Sequence, residues 1–162
     1  MEDRPDYCDK SVIIFGCGNI LFGDDGFGPA VAEELERKYT TPEDVCVINA
    51  GTSVREFLFN IALYEKKPGK IIIVDAVDVG KLPGEIFELD LDDLPEYKID
   101  DFSMHQIPTS NLLRELKDIC GVDVRILSCQ VENIPELVEP GLSETLKGKV
   151  KEICEIIAEK FF

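Results

Sequence analysis

Two short runs, "VIIF" at 12–15 and "IIIV" at 71–74, constrain the fold more than any other feature of the chain. Each is apolar at every position. A strand with one wet face alternates apolar and polar residues, whereas a strand covered on both faces does not. These runs therefore call for a sheet with helices on both sides. Two further β-rich runs, "VCVI" (45–48) and "VRIL" (124–127), extend it, and "EIFEL" (85–89) alternates as an edge strand does. The short "GKLPG" link before "EIFEL" suits a tight antiparallel connection better than a helical crossover.

Helical patterns separate the strands. "GPAVAEELERKY" (28–39) has Pro29 near its start and apolar Val31, Leu35 and Tyr39 at helix spacing. "SVREFLFNIALYE" (53–65) opens on Ser53, a candidate cap, and "TSNLLRELKDICG" (109–121) ends on a glycine. The last segment, 143–162, starts at Ser143 and carries Leu146, Val150, Ile153, Ile157 and Phe161 on one face. The alternation predicts an α/β fold: a three-layer α/β/α sandwich around a mostly parallel, twisted sheet of about five strands, with one antiparallel edge strand, as a single domain over 1–162. In such a sheet, ligands bind outside the carboxyl ends of the strands.

Composition narrows the function. A net charge of −16 argues against nucleic acid and against an anionic membrane surface. No apolar run approaches the ~20 residues of a membrane span, and the acidic start "MEDRPDYCDK" is unlike a secretory signal, so a cytoplasmic protein is expected. Six cysteines form no C-x-x-C pair, and they read as small buried hydrophobes.

The stretch "GCGNILFGDDGFG" (16–28) follows the first strand and resembles a dinucleotide loop only in part. The third glycine of G-x-G-x-x-G is replaced by Leu21, Asn49 stands where an acidic ribose ligand would close the second strand, and Asp24 and Asp25 would repel a pyrophosphate. A carboxylate pair there suits a cation or an amine. Asp24 is also placed to cap the helix that follows, and Asp25 can do the same. Asp75, directly after "IIIV", is either held by loop amides or turned to a metal. His105 is the sole histidine, in a loop long enough to return to the same edge. Two carboxylates and one imidazole can thus converge, a donor set for a borderline divalent ion such as nickel or zinc with positions left open. Other chemistries lack support: there is no G-x-S-x-G elbow, one histidine excludes H-E-x-x-H, and neither Asp25 nor Asp75 lies in an Asp-Thr/Ser-Gly loop. Gly51, Thr52 and Ser53 form a second polar loop, read either as a substrate contact or as a turn plus helix cap.

Taken together, "GCGNILFGDDGFG", "NAGT" (49–52), "IIIVDAVDVG" (71–80), "SMHQI" (103–107) and "GLSETLKGKV" (141–150) resemble the hydrogenase maturation endopeptidases, and in detail the branch serving deazaflavin (coenzyme F420)-reducing nickel–iron hydrogenases. The resemblance implies an endopeptidase, of a kind often grouped with aspartic-type enzymes, that removes a C-terminal peptide from the large-subunit precursor after nickel insertion. It assigns Asp25, Asp75 and His105 as catalytic residues and as ligands that inspect the substrate's nickel, with no cofactor of the enzyme's own. Gly16, Gly18, Asn19, Asp24 and Gly26 then shape the loop. The acidic residue is glutamate in some relatives, so Asp25 offers a shorter arm, and Asn49 replaces a frequent aspartate and cannot ionise. Two rivals follow from the residues: a non-catalytic metal- or peptide-binding accessory protein of the same fold, and a nucleotide-binding oxidoreductase.

Overall fold

The computed structural model describes residues 5–93 and 109–162. Five strands, β1 (Val12–Cys17), β2 (Val45–Gly51), β3 (Lys70–Val77), β4 (Ile86–Leu89) and β5 (Asp123–Gln130), form one sheet in the order β2-β1-β3-β5-β4. The first three pairings are parallel and β4 is antiparallel to β5, the arrangement expected of "EIFEL" as an edge strand. Helices α1 (Phe27–Lys38), α2 (Val54–Leu63), α3 (Thr109–Asp118) and α4 (Glu144–Phe161) cover the two faces.

The doubly apolar strands act as the sequence requires, because successive side chains of a strand point to opposite faces. Ile13, Phe15, Ile71 and Ile73 pack with Val54, Leu58 and Ile61 of α2 and Leu112, Leu113 and Leu116 of α3. Ile14, Ile72 and Val74 pack with Phe27, Val31 and Leu35 of α1 and Leu146, Ile153 and Ile157 of α4. Each large apolar side chain fully buried this way stabilises the fold by about 1.5–3 kcal/mol. Val150 of the expected α4 face is half-buried, and Tyr39 packs on the core just beyond the end of α1.

Three expectations need correction. The strands run past their apolar cores, so Asp75 and Asn49 lie within β3 and β2 rather than at their ends. Ser53 precedes α2 but makes no side-chain cap, because its backbone (φ −106°, ψ 14°) is not in the extended region that a capping side chain requires. Ser143 has that extended backbone, and its Oγ accepts from the Leu146 amide at 3.3 Å. Of the six cysteines, Cys46 and Cys120 are only half-buried.

Chain direction fixes the layout of the two sheet edges. β4 runs against β5, toward the amino edge. At that edge the Val122 amide bonds Leu116 O and the Asp123 amide bonds Gly69 O, so α3 ends there and its first turn faces the carboxyl edge. Among the described residues, no helix is long and apolar enough to cross a membrane.

Candidate active site at the carboxyl edge

β1 leads through α1 to β2 on one side, while β3 pairs with β1 on the other. The crevice outside the carboxyl ends of β1 and β3 is therefore the switch point of the sheet, the place where doubly wound folds bind ligands. The glycine loop occupies it. Its 3-10 turn, Gly23–Gly26, packs on β3.

The glycines allow a very close approach. A Cβ on Gly16 would lie 2.2 Å from Gly28 O, and one on Gly28 would lie 2.1 Å from Cys17 O and 2.5 Å from Val74 O. The start of α1 thus rests directly on the backbones of β1 and β3. Gly18 takes φ +139°, and a Cβ there would fall 1.9 Å from Asp25 O. The same residue donates its amide to Gly51 O at 3.0 Å, which brings the 51–53 loop beside the glycine loop. Thr52 and Ser53 are exposed there.

The two adjacent aspartates do different things. Asp25 is 8% exposed, and its Oδ2 accepts from the Asn19 amide at 2.9 Å. The Asn19 side chain in turn accepts from the Leu21 amide at 2.9 Å, which closes the turn below the carboxylate. Asp24 is 1% exposed and does not cap α1, whose N-cap is Gly26 without a side-chain bond. Instead the Asp24 carboxylate accepts from the amides of Glu132 (2.9 Å), Asn133 (3.1 Å) and Ser143 (2.7 Å) and from Ser143 Oγ (3.0 Å). It supports the start of α4, not of α1. The reason is position: inside the 3-10 turn its side chain points at the 132–143 arm, which carries unsatisfied amides at a strand end and at a helix start. A parallel bridge between Phe22 and Glu139 ties the same arm to the loop.

Asp75 is 1% exposed within β3, and its Oδ1 accepts from the Ala76 amide at 2.8 Å. It lies on the α2/α3 face, in register with Ser128 of β5. Asp25, in the loop after β1, and Asp75, near the end of the neighbouring β3, thus both lie at the carboxyl edge of the sheet. His105 lies outside the described residues, four positions before the first residue of α3. Among the described residues, no three His, Cys, Asp or Glu side chains form a metal-binding group.

A hollow of about 250 Å³ beside the loop is lined by Ile20, Gly26, Pro29, Glu33, Asn49 and Leu142. A second, of about 300 Å³, opens over Asp24 between Gly23, Pro135 and Ser143. Cys129 is a poor nucleophile: burial, reinforced by the negative charge of Asp24, pushes its thiol up to about 12.

Sequence reasoning missed two residues of this edge. Gln130 is buried, and its amide fixes the turn after β3: Oε1 accepts from Val79 and Lys81, while Nε2 donates to Asp78 and to Val131 O. Ser128 is fully buried opposite Asp75. The signal available was the continuation of "VRIL" into "SCQV", where a strand covered on both faces acquires polar residues.

Comparison with known proteins gives this edge its context. The family model described as hydrogenase maturation protease matches residues 29–160. A candidate hydrogenase maturation protease of Methanocaldococcus jannaschii is 41% identical, covering 91% of this chain and 94% of its own. The coenzyme F420 hydrogenase subunit delta of Methanothermobacter thermautotrophicus is 34% identical, covering 94% and 95%. The crystal structure of the [NiFe] hydrogenase maturation protease HycI from Thermococcus kodakarensis superimposes with a TM-score of 0.72 at 34% identity, covering 91% of this chain and 90% of that one. A glycine loop seated on the switch point of a 2-1-3-5-4 sheet, with matches of this extent, makes the chain a member of the hydrogenase maturation protease family and a peptide-bond hydrolase.

Proposed function

We propose that this protease removes the C-terminal peptide of a nickel–iron hydrogenase large-subunit precursor after nickel insertion, and that it reads the substrate's nickel with Asp25, Asp75 and His105. The observation that carries the reading is the burial of two carboxylates, Asp25 and Asp75, at the carboxyl edge of neighbouring strands. Removing such charges from water is costly unless a cation or hydrogen-bond donors meet them. A divalent ion carried in by the precursor is such a cation, and carboxylate and imidazole donors suit nickel. His105 can belong to the same set: α3 begins on the carboxyl edge, and four residues reach at most about 14 Å.

In this reading the nickel belongs to the substrate, and the enzyme needs no metal of its own. The ion, still held by the precursor, polarises the scissile carbonyl or the attacking group. The chain's residues fix its position: Asp25 from the glycine loop, Asp75 from β3, and His105 from the segment before α3. A water molecule attacks the carbonyl carbon and its proton passes to the amine as the peptide C–N bond breaks. If a carboxylate attacks instead, the amine takes its proton from water, and a second step, in which water hydrolyses the resulting acyl anhydride, frees the carboxylate. Half-buried Gly51 and exposed Thr52 and Ser53, beside the glycine loop, contact the substrate tail. Geometry of this kind couples cleavage to completed metal insertion, because without the ion the amide is neither placed nor polarised.

The relative at 34% identity carries the name of a coenzyme F420 hydrogenase subunit, which makes the precursor of a coenzyme F420-reducing hydrogenase the first substrate to try. The test is the mass of a nickel-loaded precursor after incubation. Asp25→Asn, Asp75→Asn and His105→Ala are each expected to slow processing by at least about 100-fold while the variants stay folded. Normal rates in all three would refute the site.

A further inference from the structure

We propose that Ser128 is a positioning residue for Asp75: its hydroxyl donates a hydrogen bond to the Asp75 carboxylate and sets the plane in which that carboxylate meets the nickel. The inference rests on the proposed role of Asp75. Ser128 has no exposed surface, and among the described residues its Oγ makes no hydrogen bond. Buried hydroxyls without partners are rare, and an alanine or valine would fill the same strand position without that penalty.

Register decides which group the hydroxyl can serve. Ser128 pairs with Asp75 on one side and with Phe87 on the other. Partners in adjacent strands share a face about 4.8 Å apart, so rotation about the Cα–Cβ bond of Ser128 swings Oγ toward the Asp75 carboxylate. Phe87 offers no acceptor. On the same face Ile126 and Gln130 flank Ser128 along β5, and Ile73 and Val77 flank Asp75 along β3. Gln130 is the other polar neighbour, and its amide is already saturated, with two bonds accepted and two donated. Among the described side chains on this face, the Asp75 carboxylate is the acceptor that remains. A carboxylate that ligates a metal is commonly steered by a hydrogen bond of this kind from behind.

The test titrates Ni2+ alone into the wild type, Ser128→Ala, Ser128→Thr and Asp75→Asn by calorimetry, with the melting midpoint of each. Ser128→Ala is expected to bind Ni2+ at least about tenfold more weakly while melting at the same temperature or higher. Loss of a residue with a purely structural role would lower the midpoint and leave the affinity unchanged. Ser128→Thr keeps the hydroxyl and is expected to bind within about threefold of wild type. Asp75→Asn is expected to lose Ni2+ uptake. Equal affinities for wild type and Ser128→Ala, with Asp75→Asn inactive, overturn the assignment of Ser128 and leave that of Asp75 standing. A natively melting Ser128→Thr as weak as Ser128→Ala does the same. Undiminished binding by Asp75→Asn, or no uptake by the wild type, overturns both.

Discussion

The two edges of the sheet handle polar groups in opposite ways. At the amino edge Lys70, Asp123 and Arg125 are part-exposed and pair loosely: Lys70 Nζ is 3.8 Å from Asp123, and Arg125 Nε is 3.3 Å from it. Their charges stay in water, where such pairs contribute little. At the carboxyl edge Asp24, Asp25, Asp75, Ser128 and Gln130 are all buried, and Ser110 is buried in the first turn of α3, which faces that edge. One strand therefore carries a part-exposed, screened charge at one end and a buried carboxylate toward the other: Lys70 and Asp75 are both in β3. Folding alone does not require the second arrangement, because apolar residues would pack there at lower cost. The asymmetry places the expensive buried groups at the carboxyl edge, the edge of the proposed site.

The largest expected difference between the edges is catalytic. Asp75→Asn and Asp25→Asn should depress processing of a nickel-loaded precursor by at least about 100-fold, while Asp123→Asn at the opposite edge should process at the wild-type rate. Comparable losses from both edges would erase the distinction. Next comes the seat of the glycine loop. Gly28→Ala drives a methyl into the backbones of β1 and β3, so urea unfolding should show a loss of about 3 kcal/mol or more. Asp24→Ala should follow, at about 3 kcal/mol, because it strips the acceptor from three amides and a hydroxyl. That change should lower stability without imitating the catalytic loss of Asp25→Asn in molecules that remain folded. Lys70→Ala should cost about 1 kcal/mol or less, since it removes a part-exposed pair and a contact with the Phe161 ring. The smallest effect is chemical. Burial holds the Cys129 and Cys154 thiols up to about 12 and, less strongly, raises Cys46. In native protein at pH 8 a thiol reagent should therefore label Cys46 well before Cys129 or Cys154.

What the sequence disclosed follows the same division. The layers were legible because "VIIF" and "IIIV" are apolar on both faces, and hydropathy reports that directly. The glycine loop was legible because five glycines and two aspartates in thirteen residues have few structural uses. The ends of the strands were not. Asn49, Asp75 and Ser128 are polar, so they read as the end of a strand when they are part of one. Hydropathy cannot distinguish a polar residue that leaves a sheet from one buried inside it. Asp24 was misassigned for a related reason. Capping of α1 is a local rule, whereas its actual partners are more than a hundred residues away, a distance no spacing pattern encodes. His105, the third member of the proposed set, lies outside the described residues, and its place rests on sequence and reach.

The central claim is that the substrate's own nickel completes the site. One large-subunit precursor, prepared with and without nickel, should be incubated with the wild-type enzyme and its C-terminus weighed by mass spectrometry. The account predicts loss of the C-terminal peptide from the nickel-loaded form alone. Cleavage of the nickel-free form at the same rate would contradict it.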